Sequence, residues 1–437
     1  MDFLEDLKNR LDIPGFPWKK LVVSFIIAQY TFEQFLMLRQ YKKLKEKKPP
    51  ITLENIIDQE TFDKSQTYSR VKTKFGFIVE LYGLIQKMLI IKYDVLPKLY
   101  AYVQSLINRF FSEKNSGEIM YSLFFFFILN ISVLILNLPT SIYSTFVLEE
   151  RFGFNKQTPS LFITDLLKSQ ILLIVIGGPV LFVFLKIVAY FGQIFFYYLW
   201  LFVLVFQIVM ILIYPAFIQP LFNKLTPLPE GELKTKVENL ASELKFPLKK
   251  IYVIDGSKRS AHSNAYFFGL PWNKHIVIYD TLIGKLETVE IVAILAHELG
   301  HWALYHVSKM LIIAQVHIFF VFMLFSVFIQ NTSLYYSFGF YSDMPILIGF
   351  VLYNDILTPI NSILTFFINI LSRKNEFQAD AFAAKLNYTN ELSRALIKLH
   401  IQNLTNMDAD WLYSSYHYSH PILSERLRSL GYTHESK

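Results

Sequence analysis

The residues able to do chemistry are gathered in Ala296-His297-Glu298-Leu299-Gly300-His301-Trp302, an H-E-x-x-H written into an apolar helical pattern. Two histidines four apart on an α-helix stand about 40° apart around the axis and ~6 Å along it, so both imidazoles can reach one metal ion. Zinc is the first candidate, one ion per chain, and Glu298 can take the proton of a water activated at the metal, as the general base of a hydrolase. The chain has no cysteine, which removes thiolate ligands, a cysteine nucleophile and disulfides together. A tetrahedral site with one open position then needs a third His or carboxylate. The best candidate is Glu376, in Asn375-Glu376-Phe377-Gln378-Ala379-Asp380. Asp380, one turn later on the same face, is placed to accept a hydrogen bond from a ligand histidine and fix its tautomer. Alone, Glu376 and Asp380 would read as a solvated helix face; the H-E-x-x-H makes them a metal half-site.

The elements that must bring these halves together lie in a membrane. Of the 437 residues 53% are hydrophobic and 17% aromatic, too apolar for an ordinary soluble chain. Apolar segments of about 20 residues, enough to cross a bilayer, fall near 21–38, 76–97, 121–142, 170–190, 194–218, 307–330 and 345–371. Glu80, Lys87 and Lys92 interrupt the second, and Gly177-Gly178-Pro179 should kink the fourth. The apolar run Leu21–Leu38 is followed by Arg39-Gln40-Tyr41-Lys42-Lys43 rather than small residues, so it reads as a retained anchor and not a cleaved signal peptide.

The net charge of +7 reads as a topology signal, and no nucleic-acid partner is expected. Lysines and arginines crowd residues 42–74, while 331–344 has none, which places the first loop in the cytosol and the second in the lumen. Alternation then puts the N-terminus in the lumen, and both 219–306 and the tail 372–437 in the cytosol. The expected organisation is a membrane region over 1–218, a catalytic segment over 219–306, two further spans over 307–371, and a tail over 372–437 that completes the zinc site. Within 219–306, Lys250–Gly256 alternates like a strand, and Ser263–Gly269 and His275–Asp280 flank a Pro271 turn as a hairpin. The sequon Asn331-Thr332-Ser333 falls in the expected lumenal loop, where closeness to the membrane could protect it.

Four stretches together resemble the type I CAAX prenyl endopeptidases, integral-membrane zinc metalloproteases that process farnesylated proteins. They are Ser257-Lys258-Arg259-Ser260 with His262-Ser263-Asn264-Ala265-Tyr266-Phe267, the H-E-x-x-H-W, Glu376-Phe377-Gln378-Ala379-Asp380, and Ser414-Ser415-Tyr416-His417-Tyr418-Ser419-His420-Pro421. The resemblance extends over essentially the whole chain and includes fungal members. It implies an α-helical integral membrane protein whose seven transmembrane helices enclose a large chamber, roofed by a cytosolic zincin-like α+β domain with a small β-sheet. It implies His297, His301 and Glu376 as zinc ligands, Glu298 as base, Asn264 and His420 as substrate-holding or oxyanion residues, and Arg426 as a support within the tail. His262 and His417 stay unassigned.

The activity so implied is removal of the last three residues of farnesylated C-a-a-X proteins, with a second upstream cut in a mating-pheromone or prelamin-type precursor in some members. The implied location is the endoplasmic reticulum membrane, extending to the inner nuclear membrane. A chamber would also shelter Glu33, Glu80, Asn354 and Asp355 from lipid, whereas Lys87, Lys92 and Lys186 read as snorkelling. Two other functions fit parts of the pattern: a broad quality-control zinc protease acting on membrane proteins at the translocon, and a non-catalytic channel or scaffold.

Overall fold

The computed structural model describes residues 2–111 and 117–432. Helix dominates, as lipid demands, because each backbone N–H and C=O must find its partner within its own segment. Among the described residues, five helical stretches are long and apolar enough to cross a membrane: Trp18–Lys43, Glu118–Glu149, Pro159–Phe222, His306–Phe328 and Ile346–Lys385. Four of them coincide with the expected spans one, three, six and seven. The 64-residue stretch Pro159–Phe222 holds the expected spans four and five. Gly192, at φ +56°, breaks it, and Gly178–Phe191 packs against Phe195–Ile213 across that break. The kink expected at Gly177-Gly178-Pro179 takes the form of a widened helical turn over Leu173–Gly177, next to a proline that cannot donate to the regular ladder.

The expected second span differs most from its expectation. Gln59–Lys92 is a single helix of 34 residues and is not among the five membrane-crossing stretches, because Glu80, Lys87 and Lys92 dilute its apolar character. It does not run on to residue 97 either. Asp94 adopts a left-handed conformation, and a new helix, Val95–Phe110, begins there.

One mixed sheet contains β1 (Leu225–Pro227), β2 (Leu248–Ile254), β3 (Ala265–Leu270) and β4 (Asn273–Tyr279), in the order β1-β2-β4-β3. β3 and β4 are the expected hairpin, with Leu270 opposite Asn273. Gly269 stands at φ +111°, and a Cβ there would collide with the Asn273 carbonyl, so the turn requires glycine. β2 and β4 pair in parallel.

Among the described residues, two large apolar cores organise the molecule, with a small third one at Tyr68, Leu148 and Phe154. One surrounds the helix Thr288–Ala303, whose Ile291, Val292, Leu295 and Leu299 pack against Val237, Leu240, Ile276 and Leu423. The other joins the membrane helices through residues such as Phe125, Leu185, Phe325 and Tyr353. Ile346–Lys385 belongs to both, with Leu352 and Tyr353 in the membrane core and Ala383 in the core around the H-E-x-x-H helix. It runs unbroken across 371/372.

The N-terminal segment lies against the 331–337 turn. Asp12 accepts hydrogen bonds from the backbone N–H of Thr332 and Ser333, and Trp18 Nε1 donates to Ser333 Oγ. Asn331 is fully buried; its Oδ1 caps the helix Thr332–Ser337 and its Nδ2 donates to Leu11 O. The fold itself therefore seals the sequon.

Candidate metal centre

The site begins with how its central helix is anchored. Glu287 and Glu290 form a capping box at the N-terminus of Thr288–Ala303, and the fully buried Glu290 carboxylate meets Lys398 Nζ at 2.6 Å. Ala-rich and β-branched residues bury the helix on several faces, so its polar members must find partners. At Gly300 it packs tightly against Phe382 of Ile346–Lys385. A Cβ at Gly300 would lie 3.1 Å from Phe382 Cβ.

That contact carries Glu376 to the two histidines. Glu376 Oε1 is 3.2 Å from His301 Nε2, Glu376 Oε2 is 3.5 Å from His297 Nε2, and the two Nε2 atoms are 3.2 Å apart. One ligand atom from each residue lies within 4.8 Å of the others. The Nδ1 atoms are committed elsewhere: His297 Nδ1 to Asp380 Oδ1 at 2.8 Å, and His301 Nδ1 to His306 Nδ1 at 3.0 Å. Both Nε2 atoms thus face the same point, and the buried Glu376 Oε2 has no hydrogen-bond partner. Two imidazole nitrogens and an orphaned carboxylate oxygen converging in a buried place fit a divalent cation of nitrogen and oxygen preference, such as zinc.

Arg426, on the short helix Leu423–Ser429, makes a bidentate pair with Asp380, Nε to Oδ2 at 2.8 Å and Nη2 to Oδ1 at 2.6 Å, in a fully buried setting. Its Nη1 lies 3.7 Å from Glu376 Oε2. Burial pulls the His297 imidazole down, but the adjacent Asp380 and Glu376 carboxylates prevail and push it up to about 9. Burial raises the Glu298 carboxyl against the pull of His297 and His301. That moves Glu298 toward the range of a base working near neutral pH.

His420 reaches the cluster from the loop after Trp411–His417, with Nε2 3.4 Å from Glu376 Oε1 and its side chain largely exposed. Asn264 does not join this network. It is exposed at the start of β3, and its Oδ1 accepts from the backbone N–H of Ala265. β3 packs against the H-E-x-x-H helix and is an edge strand of the sheet.

Two histidines that sequence reasoning left unassigned have partners. His417 Nε2 lies 3.2 Å from Glu33 of the first membrane helix, which gives that intramembrane carboxylate a counterpart. His262 stacks on Phe154 with ring centroids 4.4 Å apart, and with Lys72, Tyr413, His417 and His420 it lines a cleft of about 620 Å³ beside the site. His306 and Gln378 were missed altogether, although His306 follows His301 by five residues and Gln378 sits between Glu376 and Asp380.

Comparison with known proteins bears on both halves of the chain. A family model described as CAAX prenyl protease N-terminal, five membrane helices, matches residues 40–224, and peptidase family M48 matches residues 227–434. The chain is 49% identical over 449 residues to CAAX prenyl protease 1 of Saccharomyces cerevisiae, covering 99% of each. It is 41% identical to the human CAAX prenyl protease 1 homolog, covering 94% of each. The crystal structure of S. mikatae Ste24p matches with a TM-score of 0.91 at 50% identity, covering 96% of this chain and 100% of that one. With a membrane region and a metallopeptidase region matched in turn, the chain belongs to the CAAX prenyl protease 1 family of multi-pass membrane metallopeptidases.

Proposed function

We propose that the chain is a zinc metalloendopeptidase that removes the C-terminal three residues of farnesylated C-a-a-X proteins. The observation that carries this reading is the convergence of His297, His301 and Glu376 on one buried point, in a chain whose relatives are CAAX prenyl proteases. Those three residues would hold the ion. When bound, zinc supplies Lewis acidity that polarises the scissile carbonyl and acidifies water.

The chain's own residues do the rest. Glu298 takes the proton of the attacking water and returns it to the leaving amine. Asp380 and Arg426 hold His297 in one tautomer. β3, at the edge of the sheet, offers its backbone to an extended substrate, and Asn264 at its start anchors that substrate. His420 donates toward the oxygen that gains negative charge.

The same reading gives seven spans. Gln59–Lys92 supplies the second, and the two packed halves of Pro159–Phe222 supply the fourth and fifth. The spans surround a chamber in the endoplasmic reticulum membrane, with the N-terminus lumenal and the site cytosolic. In support, the N-terminal segment and the 331–337 turn bind one another, as two parts of one membrane face would.

Metal analysis with cleavage of a farnesylated C-a-a-X peptide tests the proposal. About one zinc per chain and chelator-sensitive cleavage are expected. Glu298→Gln should keep the zinc and lose turnover by about 10²-fold or more. Equal rates on the unmodified peptide would shift the reading to a broad quality-control protease. Turnover retained by Glu298→Gln would overturn the mechanism.

A further inference from the structure

The two motif histidines are backed in different ways. His297 leans on a charged carboxylate, Asp380, itself gripped by Arg426. His301 leans on a neutral chain: its Nδ1 lies 3.0 Å from His306 Nδ1, and His306 Nε2 lies 3.0 Å from Gln378 Oε1.

Hydrogen bookkeeping allows one arrangement when a metal occupies the site. His301 Nε2 faces Glu376 and His297, so its lone pair is the ligand and its hydrogen sits on Nδ1. That N–H donates to His306 Nδ1, which must be bare. His306 therefore carries its hydrogen on Nε2 and donates it to the Gln378 carbonyl oxygen. Every nitrogen in the chain then has one role, and His306, buried at 2% exposure, has both ring nitrogens satisfied.

The backbone is bent to make this contact. In an uninterrupted helix, residue 306 would lie about 140° around the axis from residue 301. Tyr305 instead adopts a left-handed conformation at φ 58°, ψ 28°, between Thr288–Ala303 and the next helix, His306–Phe328. That turn folds the His306 ring back onto His301. Gln378 is two residues after Glu376, so the helix that brings the third ligand also closes the chain behind the second.

We propose that His306, held by Gln378, is a positioning residue that fixes the tautomer and ring plane of His301 for zinc. Because the chain ends on an amide, His301 is a weaker donor to the metal than His297. The inference rests on the metal-site reading above.

The test is the zinc affinity of the full-length, detergent-purified protein, measured by competition with a graded chelator. His306→Ala should lose about 10- to 100-fold. His306→Asn, whose amide oxygen can accept where Nδ1 does, should recover most of that loss. Gln378→Glu gives the chain an anionic end and should bind zinc several-fold more tightly than the wild type, while Gln378→Leu should bind less tightly. Gln378 is exposed, so these last two variants carry the test if His306→Ala fails to fold. Unchanged affinity in both Gln378 variants, or His306→Asn no better than a folded His306→Ala, would overturn the inference and leave the metal site standing. A wild-type protein that takes up no zinc would overturn both.

Discussion

At the scale of single residues, the site is governed by what buried charges require. Asp380 is 0% exposed and Arg426 7% exposed, and such a pair is sustained because the two satisfy each other along two hydrogen bonds, with His297 Nδ1 a further partner of Asp380. Removing one partner strands the other. Asp380→Asn and Arg426→Met should each destabilise the protein by about 3 kcal/mol or more, and the double variant by clearly less than the sum. Thermal unfolding of the four proteins measures the coupling, and additive losses would mean the pair does not act as a unit. The convergence of His297 and His301 was legible because H-E-x-x-H carries its geometry in its spacing. Asp380 was legible because it repeats after one turn. His306 was not, since the left-handed Tyr305 that redirects it leaves no signature in a residue type that seldom adopts that conformation.

At the scale of elements, the decisive contact is the crossing of Thr288–Ala303 and Ile346–Lys385 at Gly300. An alanine there gains helix propensity of about 1 kcal/mol, but its Cβ would press on Phe382 Cβ, Cδ1 and Cγ, and the first of these lies too close to the backbone to swing away. Gly300→Ala should therefore leave the unfolding temperature little changed while lowering peptide turnover severalfold, because the wedge moves Glu376 relative to His301. Adding Phe382→Ala should restore part of the rate. A Gly300→Ala enzyme as active as the wild type would show that helix spacing does not set the ligand geometry. The hairpin β3–β4 and the tail helices were readable from alternation and periodicity, which are local. The parallel pairing of β2 with β4 was not, because their partnership is made by the sheet and not by either strand's own residues.

For the whole molecule, the proposed orientation in the membrane rests on the distribution of basic residues and is testable by glycosylation. The native sequon should stay unmodified, because Asn331 is buried as a helix cap. Sequons inserted in a lengthened loop at the exposed Ser342-Asp343 should be modified, and those placed in the tail should not. Modification of the tail alone would invert the proposed topology. Most of the apolar spans were visible in the sequence, since composition over about 20 residues is a strong signal. The long helix Gln59–Lys92 was less so, because its charges blur where membrane ends and interface begins. The pairing of Glu33 with His417 was invisible for a different reason: it joins the first membrane helix to the last stretch of the chain.

The unbroken helix Ile346–Lys385 makes the metal centre part of a lever. Glu376 is 30 residues from the helix start, with Pro359 between them, about 45 Å along an ideal helix. A tilt of about 2° about the far end would carry its carboxylate through roughly 1.5 Å over that length, enough to break a ligand bond. The packing of Ala379, Phe382 and Ala383 near the H-E-x-x-H helix is then a clamp as well as a core. Such a clamp would shield the proposed metal centre from bilayer thickness and lateral pressure acting on the helix's membrane half.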